Sequence, residues 1–179
     1  MSKFGIVLVA ALAIWGGSVL ASGLANKFND PQIAKIAYVA GEVDIEAAQQ
    51  ALGKTQNPEV KAFAQDMIRD HTAINDQASA LLKKLHIVPR ETDVSKYMAK
   101  HAEEVRNEIG KLNGADFDRA YMQNEMNYHL QVDFTLENKL IPETTNSQLK
   151  DLLTAALNTF KGHEQRAQTL AASLKNTAP

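Results

Sequence analysis

Residues 57–85 read NPEVKAFAQDMIRDHTAINDQASALLKKL, and this stretch decides the fold class. Asn57-Pro58-Glu59 is a capping residue followed by proline at the first helical position, where the missing N–H costs nothing and the fixed φ suits a helix. Behind it, Val60, Phe63, Ala64, Met67, His71, Ile74, Ala78, Leu81, Leu82 and Leu85 recur every three or four residues, the period of a helix with one buried face. The pattern stops before Pro89. Upstream, Asp30-Pro31 repeats the start signal with Asp30 as the expected N-cap. Ile33, Ile36, Ala37, Ala40, Val43, Ala47 and Ala51 then carry a second stripe to a turn at Gly53–Asn57. So short a connection makes the two helices antiparallel neighbours.

Downstream, Asp93 to Leu112 is periodic through Val94, Tyr97, Met98, His101, Val105, Ile109 and Leu112, and Asn113-Gly114 ends it. Asp116 is the expected cap of the next long helix, which carries Phe117, Tyr121, Tyr128, Val132 and Leu136 and finishes near Pro142. Asn146 or Ser147 opens the last helix, with Leu149, Leu152, Leu153, Ala156, Phe160, His163, Ala167, Leu170, Ala171 and Leu174 on one face. The order is hairpin, a connection of roughly thirty residues with its own helix, then hairpin; one such crossover between two hairpins is the ferritin-like arrangement. The expectation is an all-α, ferritin-like antiparallel four-helix bundle over residues 30–175, with a long crossover containing an extra helix.

Composition agrees with that plan. A chain of 179 residues, 45% apolar and 22% charged, can bury one sizeable core and is not a disordered tail. Lys+Arg 19 against Asp+Glu 21 gives a net charge of −2, without the basic excess that phosphate neutralisation requires, so no nucleic-acid partner is expected. With no cysteine, disulfides, thiolate metal sites and cysteine nucleophiles are excluded. Glycine-rich phosphate loops, Gly-x-Ser-x-Gly and His-Glu-x-x-His are all absent from the sequence. The chain therefore leans away from an enzyme.

Residues 1–25 differ from everything after them. Lys3 is their only charge, Phe4 to Leu20 is almost wholly apolar, and small residues follow through Ala25. This is the make-up of a secretory signal peptide, with cleavage expected after Ala21 or Ala25 and a periplasmic or cell-envelope destination. The rival is an uncleaved anchor, the one way in which a membrane would become a partner. Removal would take Lys3 and the sole tryptophan, Trp15, with it.

A few polar residues fall within the apolar stripes. Asp44 lies on the Ile33–Ala37–Ala40–Ala51 face, whereas Glu42 and Glu46 point away from it. His71 follows Met67 by four residues, with Asp70 at the stripe edge. Glu125 and His129 share one flank, and His163 lies three residues after Phe160 with Glu164 beside it. Their depths along the helices, at about 1.5 Å per residue, allow the group to converge in one mid-bundle layer. Two readings stand. His71, His129, His163, Asp44 and Glu125 can form a hydrogen-bonded network that fixes helix alignment, or they can bind a transition metal such as Fe, Zn or Cu. His101 and His86 read as structural or solvent-facing. Tyr38, Tyr97, Tyr121 and Tyr128 read as core-edge aromatics, and Lys61, Arg69, Lys83 and Lys84 as a solvated face.

Gly41-Glu42-Val43-Asp44-Ile45, Asn57-Pro58-Glu59-Val60-Lys61-Ala62-Phe63-Ala64 running to Met67, Asp70-His71-Thr72, Phe117-Asp118-Arg119-Ala120-Tyr121, His129 and His163 together resemble the exported bacterial family catalogued as domain of unknown function 4142. The resemblance covers about Pro31 to Leu174. It implies a ferritin-like bundle of the periplasm or cell envelope, and Asp44 stands where that family more often has Glu. The wider ferritin-like group suggests di-iron chemistry through Glu-x-x-His. Here the residues three before His71, His129 and His163 are Ile68, Met126 and Phe160, so the di-iron signature is missing. A structural, stress-related or accessory-subunit protein, acting with an envelope partner or as a homo-oligomer, is the first expectation. A metal-binding or redox protein is the second.

Overall fold

A computed structural model describes residues 27–176, and the expected signal segment, with Lys3 and Trp15, lies outside them. Five helices account for most of the described chain: α1 (Asp30–Lys54), α2 (Pro58–Lys84), α3 (Asp93–Ile109), α4 (Gly114–Thr135) and α5 (Ser147–Asn176). Between α4 and α5 the helix runs on through a π-helical segment, Leu136–Leu140, and a last α turn, Ile141–Glu143. Among the described residues there is no strand, and no helix is long and apolar enough to cross a membrane.

The start signals act where the sequence places them, except that the caps of α1 and α4 lie one and three residues earlier than expected. Asn57 caps α2, its Oδ1 accepting from the N–H groups of Glu59 and Val60. At α1 the cap is Asn29 rather than Asp30: Asn29 and Gln32 exchange side-chain bonds with each other's backbone N–H in a capping box. Asp30, one residue inside, accepts instead from Thr145 N, Thr145 Oγ1 and Asn146 N. Burial pushes the Asp30 carboxyl up, but those bonds outweigh it and hold the acid below its ordinary range. Likewise α4 opens at Gly114, so Asp116 is not its cap and instead pairs with Arg119. α3 stops at Ile109, because Gly110 turns the chain and its carbonyl takes the Lys54 ammonium at 2.8 Å.

α1 packs along α2, and α4 along α5; α2 also meets α5, α1 meets α4, and α3 lies against α1. Three side-chain contacts fix these seams. Asn75 of α2 donates to Glu42 Oε1 at 3.1 Å and to Tyr38 O at 3.4 Å on α1. Tyr128 of α4 donates to Ala40 O of α1 at 2.7 Å. His163 of α5 meets Asp70 of α2 at 3.0 Å. Gly41 makes the first seam close: a Cβ there would stand 2.6 Å from Asn75 Oδ1.

The core has two apolar clusters. One gathers Ile33, Ile36, Val43, Val132, Leu153 and Phe160 with their neighbours, and the other Ala48, Val60, Phe63, Met67, Phe117 and Ala167 with theirs. On each of the four long helices the switch from one cluster to the other falls at a polar residue: Asp44, His71, Glu125 with His129, and His163. Tyr121 and Tyr128 are 2% and 5% exposed, so they are core residues and not edge aromatics. Both sit within or beside this layer.

Candidate metal centre

All five inward residues read from the sequence are buried in that layer. Asp44 and Glu125 are each 1% exposed, His129 0%, His71 2% and His163 7%. The three imidazole rings form a near-equilateral triangle, with centroids 5.4 Å apart for His71–His163 and His129–His163 and 5.7 Å for His71–His129. One nitrogen from each ring lies within 4.8 Å of those of the other two, and Asp44, Glu125 and His129 form an overlapping set within the same limit. Donors bound to one ion at about 2.0–2.2 Å sit about 3–4 Å from one another, so the group is within an ångström or so of that geometry.

The outer nitrogens are already held. His129 Nδ1 is 3.0 Å from Glu125 O, a carbonyl that can only accept, so Nδ1 carries the hydrogen and Nε2 is the bare nitrogen of the neutral ring. His163 Nε2 donates to Asp70 Oδ2 at 3.0 Å, leaving its Nδ1 buried and without a hydrogen-bond partner. His71 stacks on Phe160, 4.6 Å between centroids and 9° between planes, which fixes its ring by packing. A carbonyl or carboxylate behind the outward nitrogen is how imidazoles are oriented around metals.

At the centre the polar atoms crowd together, with Asp44 in reach of both His71 and the Glu125 carboxyl. Asp44 Oδ2 stands 2.8 Å from His71 Nε2 and 3.2 Å from His129 Nε2, yet neither contact is aligned as a hydrogen bond. Glu125 Oε2 and both Asp44 oxygens are buried with no aligned partner. Burial drives His129 down to about 4, opposed only in part by the Asp44 charge, so its ring is neutral in the folded protein. Burial and the Asp44 charge push Glu125 well above the usual carboxylate range. For Asp44 burial acts upward, but His71, 2.8 Å away, outweighs it and holds the group below its ordinary range as the ionised acid.

His129 donates its one outer hydrogen bond through Nδ1–H and has a single nitrogen left, so the two overlapping sets share that nitrogen and could hold only one ion between them. His101 stays on α3, stacked on Tyr97 at 5.5 Å, and His86 is exposed beyond the end of α2; neither joins the cluster. Sequence spacing left out Tyr121 as a member of the layer. Its hydroxyl is buried without a hydrogen-bond partner, and burial followed by the Glu125 and Asp44 charges raises it well above its ordinary value. The signal was present in the four-residue step from Tyr121 to Glu125.

No curated protein and no solved structure matches the chain. A family model does match, over residues 18–170, which takes in every residue of the layer. The chain belongs to the family described as a domain of unknown function, DUF4142.

Proposed function

We propose that this protein is an exported, ferritin-like helical bundle that holds one divalent transition-metal ion in its core. His71, His129 and His163 would supply the nitrogens, and Asp44 and Glu125 the oxygens. The observation that carries the reading is the face-off between His129 Nε2 and Asp44 Oδ2. A neutral imidazole nitrogen with its lone pair outward and an ionised carboxylate oxygen lie 3.2 Å apart, unaligned for a shared proton. Two acceptors held that close in a dry interior repel each other, and a metal ion among the imidazoles and carboxylates would turn that repulsion into coordination. Three nitrogens and two carboxylates without a thiolate suit Zn, Fe or Cu rather than the purely oxygen-bound Mg or Ca. The topology supports a ferritin-like bundle, with α1–α2 and α4–α5 hairpins meeting through α2–α5 and α1–α4 and α3 in the crossover. The lone charge and apolar run of residues 3–20 support export.

The test is metal content of protein isolated from the cell envelope, beside that of His71→Ala. About one equivalent of a first-row metal is expected in the native chain, and a loss of at least about 10-fold in affinity in the variant. Metal-free protein that takes up no added Zn, Fe(II) or Cu(II) overturns the reading. The layer is then a hydrogen-bonded network that aligns the helices.

A further inference from the structure

Beside the polar layer, on the side of the Ile33–Phe160 cluster, lies a cavity of about 40 Å³. All five helices and the π-helical segment line it, with Ala37, Ala78, Leu136, Leu140, Ala156 and Phe160 among its walls. Of its three polar neighbours, Asn75 and Thr135 are already hydrogen-bonded. Asn75 donates to Glu42 and Tyr38 O, Thr135 Oγ1 donates to Gln131 O at 2.8 Å, and Tyr38 lies beside the Glu42 carboxylate, whose charge raises its hydroxyl pKa. The walls are almost wholly apolar, so a water there would find little to bond, and space of this kind favours apolar guests. The volume exceeds the roughly 10–15 Å³ that one water-sized sphere requires. It falls far short of the roughly 300–1,000 Å³ of sites for drug-sized ligands. That leaves room for a molecule of two or three heavy atoms.

One aromatic ring is shared by this space and the imidazoles. Phe160 lines the cavity, stacks on His71, and has its ring centroid 6.3 Å from that of His129 and 6.0 Å from that of His163. The unpartnered polar atoms of Asp44, His71 and His129 belong to residues outside the cavity lining, whereas Phe160 belongs both to the lining and to the aromatic contacts of the imidazoles. We infer that the cavity is a holding site for one small, uncharged apolar molecule of the dioxygen class, with Phe160 as the ring shared by it and the metal centre. Occupancy depends on the cavity alone; its placement beside a metal rests on the reading above.

Xenon, matched to that size and chemistry, is the first probe, applied to the metal-free full chain so that the outcome does not depend on metal binding. Methyl NMR should show saturable, one-site shifts at Leu136, Leu140 and Ala156. Dioxygen under pressure should broaden the same methyls through its paramagnetism. Ala156→Leu and Ala78→Leu each add bulk to a different wall, and either variant that folds should abolish both effects. No saturable xenon shift, xenon shifts without dioxygen broadening, or effects that survive in a folded filled variant would overturn the inference. None of these outcomes alters the metal measurement.

Discussion

Both carboxylate oxygens of Asp133 are buried without a hydrogen-bond partner. Burial first, and then the charge of Glu164, push its pKa up to about 7. In the unfolded chain the same group titrates near 4. Between about pH 4 and pH 7 the folded protein therefore holds a proton that the unfolded chain has released, and this group's contribution to stability falls as pH rises. Asp133→Asn keeps the shape and removes the charge. At about pH 8 it should stabilise the protein by at least about 1 kcal/mol, read as a Tm rise of about 2–4 °C, with little gain at about pH 4. Thermal unfolding at the two pH values checks this; an equal shift at both would refute it. Gly41 acts through space rather than charge. Gly41→Ala would press on Asn75 and should cost about 1–3 kcal/mol by overpacking, and urea unfolding should show the loss largely recovered in Gly41→Ala/Asn75→Ala. The five inward residues were legible because each sits at a three- or four-residue step from an apolar neighbour on its own helix. Asp133 was not, since its burial comes from packing of α4 on α5, a partner that its own helix does not reveal.

At the level of elements, α2 was legible end to end because its signals are local: Asn57 and Pro58 start it, one stripe runs its length, and Pro89 follows. Asn57→Ala strands two backbone N–H groups at that start and should lower stability by about 1 kcal/mol, seen as an earlier denaturation midpoint with an unchanged slope. The sequence places the start of α1 one residue late and that of α4 three residues late, because acidic residues favour both the cap and the first turn and only backbone geometry separates the two. The π-helical segment was not legible at all. Pro142 has no N–H to donate and its ring crowds the preceding turn. The chain meets this with a wider turn just upstream, where Ile141 N bonds to Leu136 O, five residues back. Nothing in the pattern Leu136-Glu137-Asn138-Lys139-Leu140 distinguishes that turn from an ordinary one.

Across the whole molecule, four helices each interrupt an apolar face at the same level, and the interruptions meet. A metal bound only in the folded state adds stability in proportion to the logarithm of its concentration, about 2.7 kcal/mol at 100 times Kd. Melting curves in increasing Zn should therefore climb for the native chain and stay flat for Asp44→Asn, whose centre has lost its fixed charge. A climb of equal size in both would place the ion elsewhere. The layer also bears on how the chain finds one structure. Slide α2 by about 5.4 Å, one helical turn, and its alanines, leucines and methionine would still meet apolar neighbours, since the two clusters are chemically much alike. His71 would instead land among hydrocarbon, and Asp44 would be left a lone buried charge, a loss of about 3–5 kcal/mol when one partner of such a pair is removed. Greasy side chains alone would tolerate several staggers of these rods, and this one band of acids and imidazoles works as the notch that lets only one of them close.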